Sequence, residues 1–153
     1  MPYLVDTNVL LRSNDPNHVQ HSLAASAVAA LRARNEQLCV ARQNLIEFRN
    51  VATRPLQNNG LGLSAADADN ELTLLEQDFA FLPDVDGIYL RWRLLVAGLG
   101  VMGKQVHDTR LVAVMLTYGV THLLTFNGPD FARFQVLPAA LGAGIQVVHP
   151  QSV

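Results

Sequence analysis

The chain has 153 residues, half of them hydrophobic and 16% charged, with a formal net charge of −2. That length favours one domain able to bury a core, and the composition excludes a disordered chain. The near-neutral balance gives no global pull on nucleic acid, the single cysteine, Cys39, rules out an internal disulfide, and the longest apolar run, 94–103 between Arg93 and Lys104, falls short of the ~20 residues that cross a bilayer. Asp6 interrupts the N-terminal apolar run and no basic segment precedes it, so no secretory leader and a cytoplasmic location are expected.

Residues 3–5 read as a short strand, 18–34 as an Ala-rich helix and 38–41 as a second strand. A helix over 43–53 sets Leu45, Phe48 and Ala52 on one side. Ser64 caps a helix to residue 77, with Asp67 at the capping-box position, and 79–82 form a third strand. Residues 86–99 read as a helix, a Gly-punctuated loop follows, and Asp108 opens a helix in which Leu111, Val112 and Met115 recur at helical spacing. Strands over 122–126 and 145–148 close the chain. Strands alternating with helices predict a single-domain α/β/α sandwich over 1–153 with a mainly parallel sheet of about five strands.

Ligands of such sheets gather at the carboxyl ends of the strands. Asp6 ends the first strand, Asn127 and Asp130 follow the strand over 122–126, and Asp108 begins the helix leading into that strand. Each acid has an ordinary explanation: an Asx turn at Asp6, a surface charge at Glu47, a helix N-cap at Asp108, and a cap on a short helix over 131–134 at Asp130. Yet VDTNVLL, NLIEFRNV, HDTRLVAV and LLTFNGPDF each set an acid beside residues that belong in a core. Converging carboxylates repel one another and lose solvation, and a divalent cation relieves both. An all-oxygen donor set favours Mg²⁺ or Mn²⁺ over zinc, for which no Cys/His cluster exists.

The four stretches together resemble the PIN-domain ribonucleases, in particular the VapC-like toxins of toxin–antitoxin pairs, and the likeness covers nearly the whole chain. It implies an α/β/α nuclease domain over 1–153 that hydrolyses RNA phosphodiester bonds with Mg²⁺ or Mn²⁺, with an antitoxin protein as partner. Carried onto this sequence, Asp6, Glu47 and Asp108 match the family's core acids and metal ligands. At the fourth place this chain has Asn127, a candidate metal ligand, and Asp130, a candidate catalytic group three residues on. Thr7 and Asn8 are expected to shape the turn around Asp6 and are candidates for contacting substrate. Arg42 and Arg49, seven apart on the Glu47 helix, and Arg110, one turn into the Asp108 helix, are candidates for holding phosphate. His107 is expected to pack structurally. Trp92, between Arg91 and Arg93, reads as core or as a base-stacking ring, and the apolar side of its helix as a homodimer surface.

Two rival readings stand beside this one. A phosphatase of the haloacid-dehalogenase type also has an Asp after its first strand, but requires a second acid two residues later, where this chain has Asn8. The other is a PIN-like module that binds RNA or protein without cleaving, for which Asn127 in the fourth acidic place leaves room.

Overall fold

Leu4 and Val5, adjacent in the first strand, are both fully buried, and they point into different cores. That is the signature of a strand covered on both faces. The computed structural model describes residues 1–153. Its main elements are β1 (Pro2–Val5), α1 (Thr7–Ser13), α2 (His21–Ala33), β2 (Gln37–Ala41), α3 (Arg42–Ala52), α4 (Ala65–Asp78), β3 (Ala80–Leu82), α5 (Asp86–Leu99), α6 (Gln105–Tyr118), β4 (His122–Leu124), α7 (Gly128–Phe131) and β5 (Gln146–Val148). The five strands form one sheet in the order β3-β2-β1-β4-β5, and every pairing is parallel. The expected α/β/α sandwich with a parallel five-stranded sheet is therefore present.

The alternation of side chains builds the two layers. Leu4, Cys39, Ala41 and Leu123 meet Ile88 and Leu95 of α5 and Leu111 and Met115 of α6 on one face. Val5, Leu38, Val40 and Leu124 meet Leu10 of α1, Leu31 of α2, Phe48 of α3 and Leu75 of α4 on the other. From β1 the chain steps outward through β2 to β3, then returns past β1 to lay down β4 and β5. The order reverses between β1 and β4, so their following segments diverge and leave a crevice at that rim.

Several boundaries differ from the sequence-based expectation. Thr7 and Asn8 are not a simple turn: they open α1, with Asp6 as its N-cap in extended backbone (φ −68, ψ 152). The helix expected from residue 18 starts at His21. α6 begins at Gln105, just after Gly103 turns the chain at φ +66, so Asp108 lies inside the first turn and is not the N-cap. Asp130 lies inside α7, preceded by Asn127, and does not cap 131–134, which contains a 3-10 turn over Ala132–Phe134. The Ser64 cap is as expected: its hydroxyl accepts the Asp67 N–H at 3.0 Å.

Candidate functional site

The β1–β4 rim carries the acids. The Asp6 backbone N–H extends the parallel pairing by donating to Leu124 O at 2.9 Å, which fixes where its side chain emerges. Its carboxylate is 6% exposed and fully engaged on its protein side. Oδ1 accepts the Thr7 N–H at 2.8 Å; Oδ2 accepts the Thr125 hydroxyl at 2.7 Å and the Asn8 side-chain amide at 3.0 Å. Three bonds occupy three of the roughly four lone-pair positions a carboxylate offers, so a coordination position is left for a cation. Burial holds the Asp6 carboxyl above its ordinary value; the bonds from Thr125, Thr7 and Asn8 oppose that, and the Glu47 charge adds to it.

Asn8 and Thr125 lock the crevice together. The Asn8 amide also donates to Thr125 Oγ1 at 3.2 Å, its carbonyl oxygen accepts the Phe126 N–H at 3.1 Å, and Thr125 Oγ1 accepts the Asn127 N–H at 3.0 Å. On the other side, Glu47 projects from α3 with both oxygens held. Oε2 accepts the Thr7 hydroxyl at 2.9 Å and Oε1 accepts Gln43 Nε2, also at 2.9 Å. Asn44, fully buried, fixes the start of α3 by accepting the Ala41 N–H at 2.9 Å and donates to Thr7 Oγ1 at 3.3 Å. Thr7 thus links Asp6 and Glu47. It is buried, and its bonds to both acids give it a placing role beside the substrate contact suggested by the sequence.

Asp108 is different. Its half-buried carboxylate makes no hydrogen bond with any protein group, and its pKa is pushed up to about 6. Burial is the main cause, followed by the negative charges of Asp130, Asp6 and Glu47; His107 alone opposes them. Four acids from four separate segments therefore sense one another. None of Asp6, Glu47, Asp108 and Asp130 is in an ion pair; the protein's ion pairs use Glu36, Asp69 and Asp84. Asn127 and Asp130 are exposed at the start of α7, and the Asn127 side chain caps nothing. No three His, Cys, Asp or Glu side chains lie close enough to make a finished ligand cluster. The donor chemistry nevertheless fits a hard divalent cation: oxygen only, with a surplus of negative charge that no ion pair takes up.

The expected phosphate-binding arginines divide. Arg110 donates to Asp84 at 2.8 Å and to Gln43 Oε1 at 3.3 Å, one residue removed from Glu47. Arg42 approaches Asp84 at 3.7 Å. Both line a cavity of about 380 Å³ with Gln43, Glu47 and His107. Arg49 shares a second cavity with Arg42 and is paired with Asp69, away from the acids. His107 is exposed and not packed; its carbonyl accepts Gln43 Nε2 at 2.9 Å. Sequence reasoning missed the roles of Thr125, Gln43 and Asn44, and of Arg12, which donates to Asn8 O at 3.1 Å and stacks over Phe126 at 5.3 Å. Thr125 and Asn44 sit inside the TFNGPDF and NLIEF stretches, so their positions carried the signal; their bonds did not.

A parallel α/β sheet with carboxylates outside any ion pair at its switch point defines an acidic-site α/β domain. The family model described as PIN domain matches residues 3–137, and the chain belongs to that family. Solved structures share the fold. VapBC-1 from nontypeable Haemophilus influenzae is 16% identical with a TM-score of 0.67, covering 99% of each chain. VapBC2 from Rickettsia felis, bound to a promoter DNA fragment, is 13% identical with a TM-score of 0.66, covering 97% of this chain and 98% of that one. VapC20 from Mycobacterium tuberculosis, a sarcin-ricin loop cleaving toxin, is 16% identical with a TM-score of 0.59, covering 86% and 94%. No curated protein matches the sequence.

Proposed function

We propose that this protein is a metal-dependent endoribonuclease, acting as the toxin of a type II toxin–antitoxin pair through a single nuclease domain over 1–153. The observation that carries this is the gathering at one rim of four acids from four segments, Asp6, Glu47, Asp108 and Asp130, none of which has an ion-pair partner, with the other three charges all acting on Asp108. PIN membership supports it, as do the toxin–antitoxin complexes and the RNA-cleaving toxin among the structural neighbours.

Asp6, Asp108 and Glu47 would hold a Mg²⁺ or Mn²⁺ ion, with Asn127 as a further oxygen donor. The ion supplies Lewis acidity and offsets charge developing on the phosphate. The chain's own residues do the rest. Thr125 and Asn8 aim Asp6 by hydrogen-bonding its carboxylate, and Thr7 and Gln43 aim Glu47 in the same way. Asp130, on the exposed start of α7, orients ligands through its effect on Asp108. Arg110 and Arg42 hold phosphates of the strand beside the acids. A protein antitoxin covers this rim, and the apolar surface of α5 at the exposed Leu94 makes a homodimer contact. No helix is long and apolar enough to cross a membrane, and a cytoplasmic location fits an RNA substrate.

Asn127 in the fourth place and the absence of a finished three-acid cluster favour, as a second reading, a module that binds RNA without cutting it. The phosphatase reading has no such support, since Asn8 is committed to Asp6, Thr125 and Phe126. Cleavage of a mixed pool of single-stranded RNA separates the two. Fragments should form with Mg²⁺ or Mn²⁺ and vanish with EDTA or in Asp6→Asn. Intact RNA under all conditions, with retained binding, establishes the second reading; cleavage undiminished by EDTA overturns the metal requirement.

A further inference from the structure

We infer that a base of the RNA strand, adjacent to the cleaved phosphodiester, stacks in a preformed aromatic cavity between α5 and α6. The inference rests on the nuclease reading above. The cavity, about 730 Å³, is lined by Tyr89 and Trp92 of α5, by Val106, His107 and Arg110 of α6, and by Asp84 before α5. The N-terminal ends of both helices lie at the rim where the acids gather, because α5 follows β3 and α6 runs back along the sheet to β4. Asp84, His107 and Arg110 line this cavity and also the one that contains Glu47, so the two adjoin across these residues.

The rings are held for use. Trp92 Nε1 donates to Val106 O at 2.8 Å, which satisfies the indole donor and fixes the ring plane against α6. Tyr89, 59% exposed, lies beside it with ring centroids 5.7 Å apart and planes 30° from parallel. A half-buried Trp edge-locked by one bond and an exposed Tyr form a platform for a flat, uncharged ring. Stacking of this sort is tolerant of sequence because every base has a π-face.

Charge selects the occupant. The Asp84 carboxylate is shared between Arg110, bonded at 2.8 Å, and Arg42, at 3.7 Å and thus short of a hydrogen bond. Two guanidinium groups, each with five N–H donors, surround one carboxylate, leaving donors that match phosphate oxygens. Asp86 adds a negative charge further along the same cavity. The pattern therefore suits a ligand with its phosphates along Arg42 and Arg110 and an uncharged ring over Tyr89 and Trp92. That is a nucleotide in a single strand. The Arg110–Gln43–Glu47 bonds set this nucleotide one residue's reach from the acids.

Trp92 is the protein's only tryptophan, so its fluorescence reports on this cavity alone. The test titrates the full-length protein with a 2′-O-methyl oligoribonucleotide of mixed sequence in Mg²⁺, checked to be intact afterwards. Saturable quenching is expected, with affinity lowered on the order of tenfold in Tyr89→Ala and again in Arg110→Gln. Tyr89 is exposed and its replacement should leave the melting temperature unchanged. Against cleavable RNA, Tyr89→Ala should raise KM with little change in kcat. Quenching without any cleavage keeps the subsite and overturns only the nuclease reading. Cleavage without quenching, and with Tyr89→Ala unaltered in KM, overturns the subsite and leaves the nuclease. Emission that follows protein concentration and ignores the oligonucleotide shows a second copy filling the cavity, and also overturns it.

Discussion

At the scale of single residues, the carboxylates differ by what surrounds them. Asp6 is braced by three donors, whereas Asp108 has none and its pKa rises to about 6. The folded protein therefore keeps the Asp108 proton up to about pH 6, while the unfolded chain releases it near the ordinary 3.8. Between those values the folded state binds more protons, so stability falls as pH rises through the window and stays lower above it. Asp6, also raised, acts in the same direction. The loss attributable to Asp108 is on the order of 2 kcal/mol once the solvent at a half-buried site is allowed for. Metal-free protein should therefore melt higher at about pH 5 than at about pH 7.5 in EDTA, and Asp108→Asn should narrow the gap. A parent that melts lower at the acidic pH would show that the acids are not mutually strained. Asp130 lies outside the braced set and exposed. Asp130→Ala should keep measurable RNA cleavage while Asp6→Ala loses it; equal and complete losses would make Asp130 a direct ligand.

At the scale of elements, the site depends on tying the start of α1 to the end of β4. Thr125, fully buried, does this with one hydroxyl that donates to Asp6 and accepts from the Asn8 side chain and the Asn127 N–H. Thr125→Val keeps the shape and removes the hydroxyl. It should lower stability by about 1–3 kcal/mol through the unpaired buried groups it leaves, and lower cleavage activity by about 10–100-fold. Circular-dichroism melting and a cleavage time course measure both; an active, equally stable variant would remove Thr125 from the site. The order of strands and helices and the acids themselves were legible in the sequence, because strand length, apolar spacing and isolated charges are local signals. The Thr125–Asp6 bond spans 119 positions and has no local trace. α1 was read as a turn because an Asx turn and a helix N-cap begin with the same side-chain-to-backbone bond. Asp108 reads as the opening of its helix for a related reason. The helix start is set three residues earlier, after the left-handed Gly103, and that shift frees its carboxylate for the site.

At the scale of the whole molecule, the reversal of strand order between β1 and β4 brings together residues from four distant segments. β1 delivers Asp6, α3 delivers Glu47, α6 delivers Asp108, and the segment after β4 delivers Asn127 and Asp130. The price of that convergence is repulsion among charges at one rim, which a bound cation would relieve. The most direct measurement is therefore thermal unfolding of the parent and of Asp108→Asn, each in EDTA and with Mn²⁺. In EDTA the variant should melt above the parent, since one of the repelling charges is gone and the shape is kept. With Mn²⁺ at a hundred times its dissociation constant the parent should gain roughly 2.7 kcal/mol, and the variant much less at the same concentration. Equal Mn²⁺ gains in both proteins would contradict the account, because the acids would then not share one cation site.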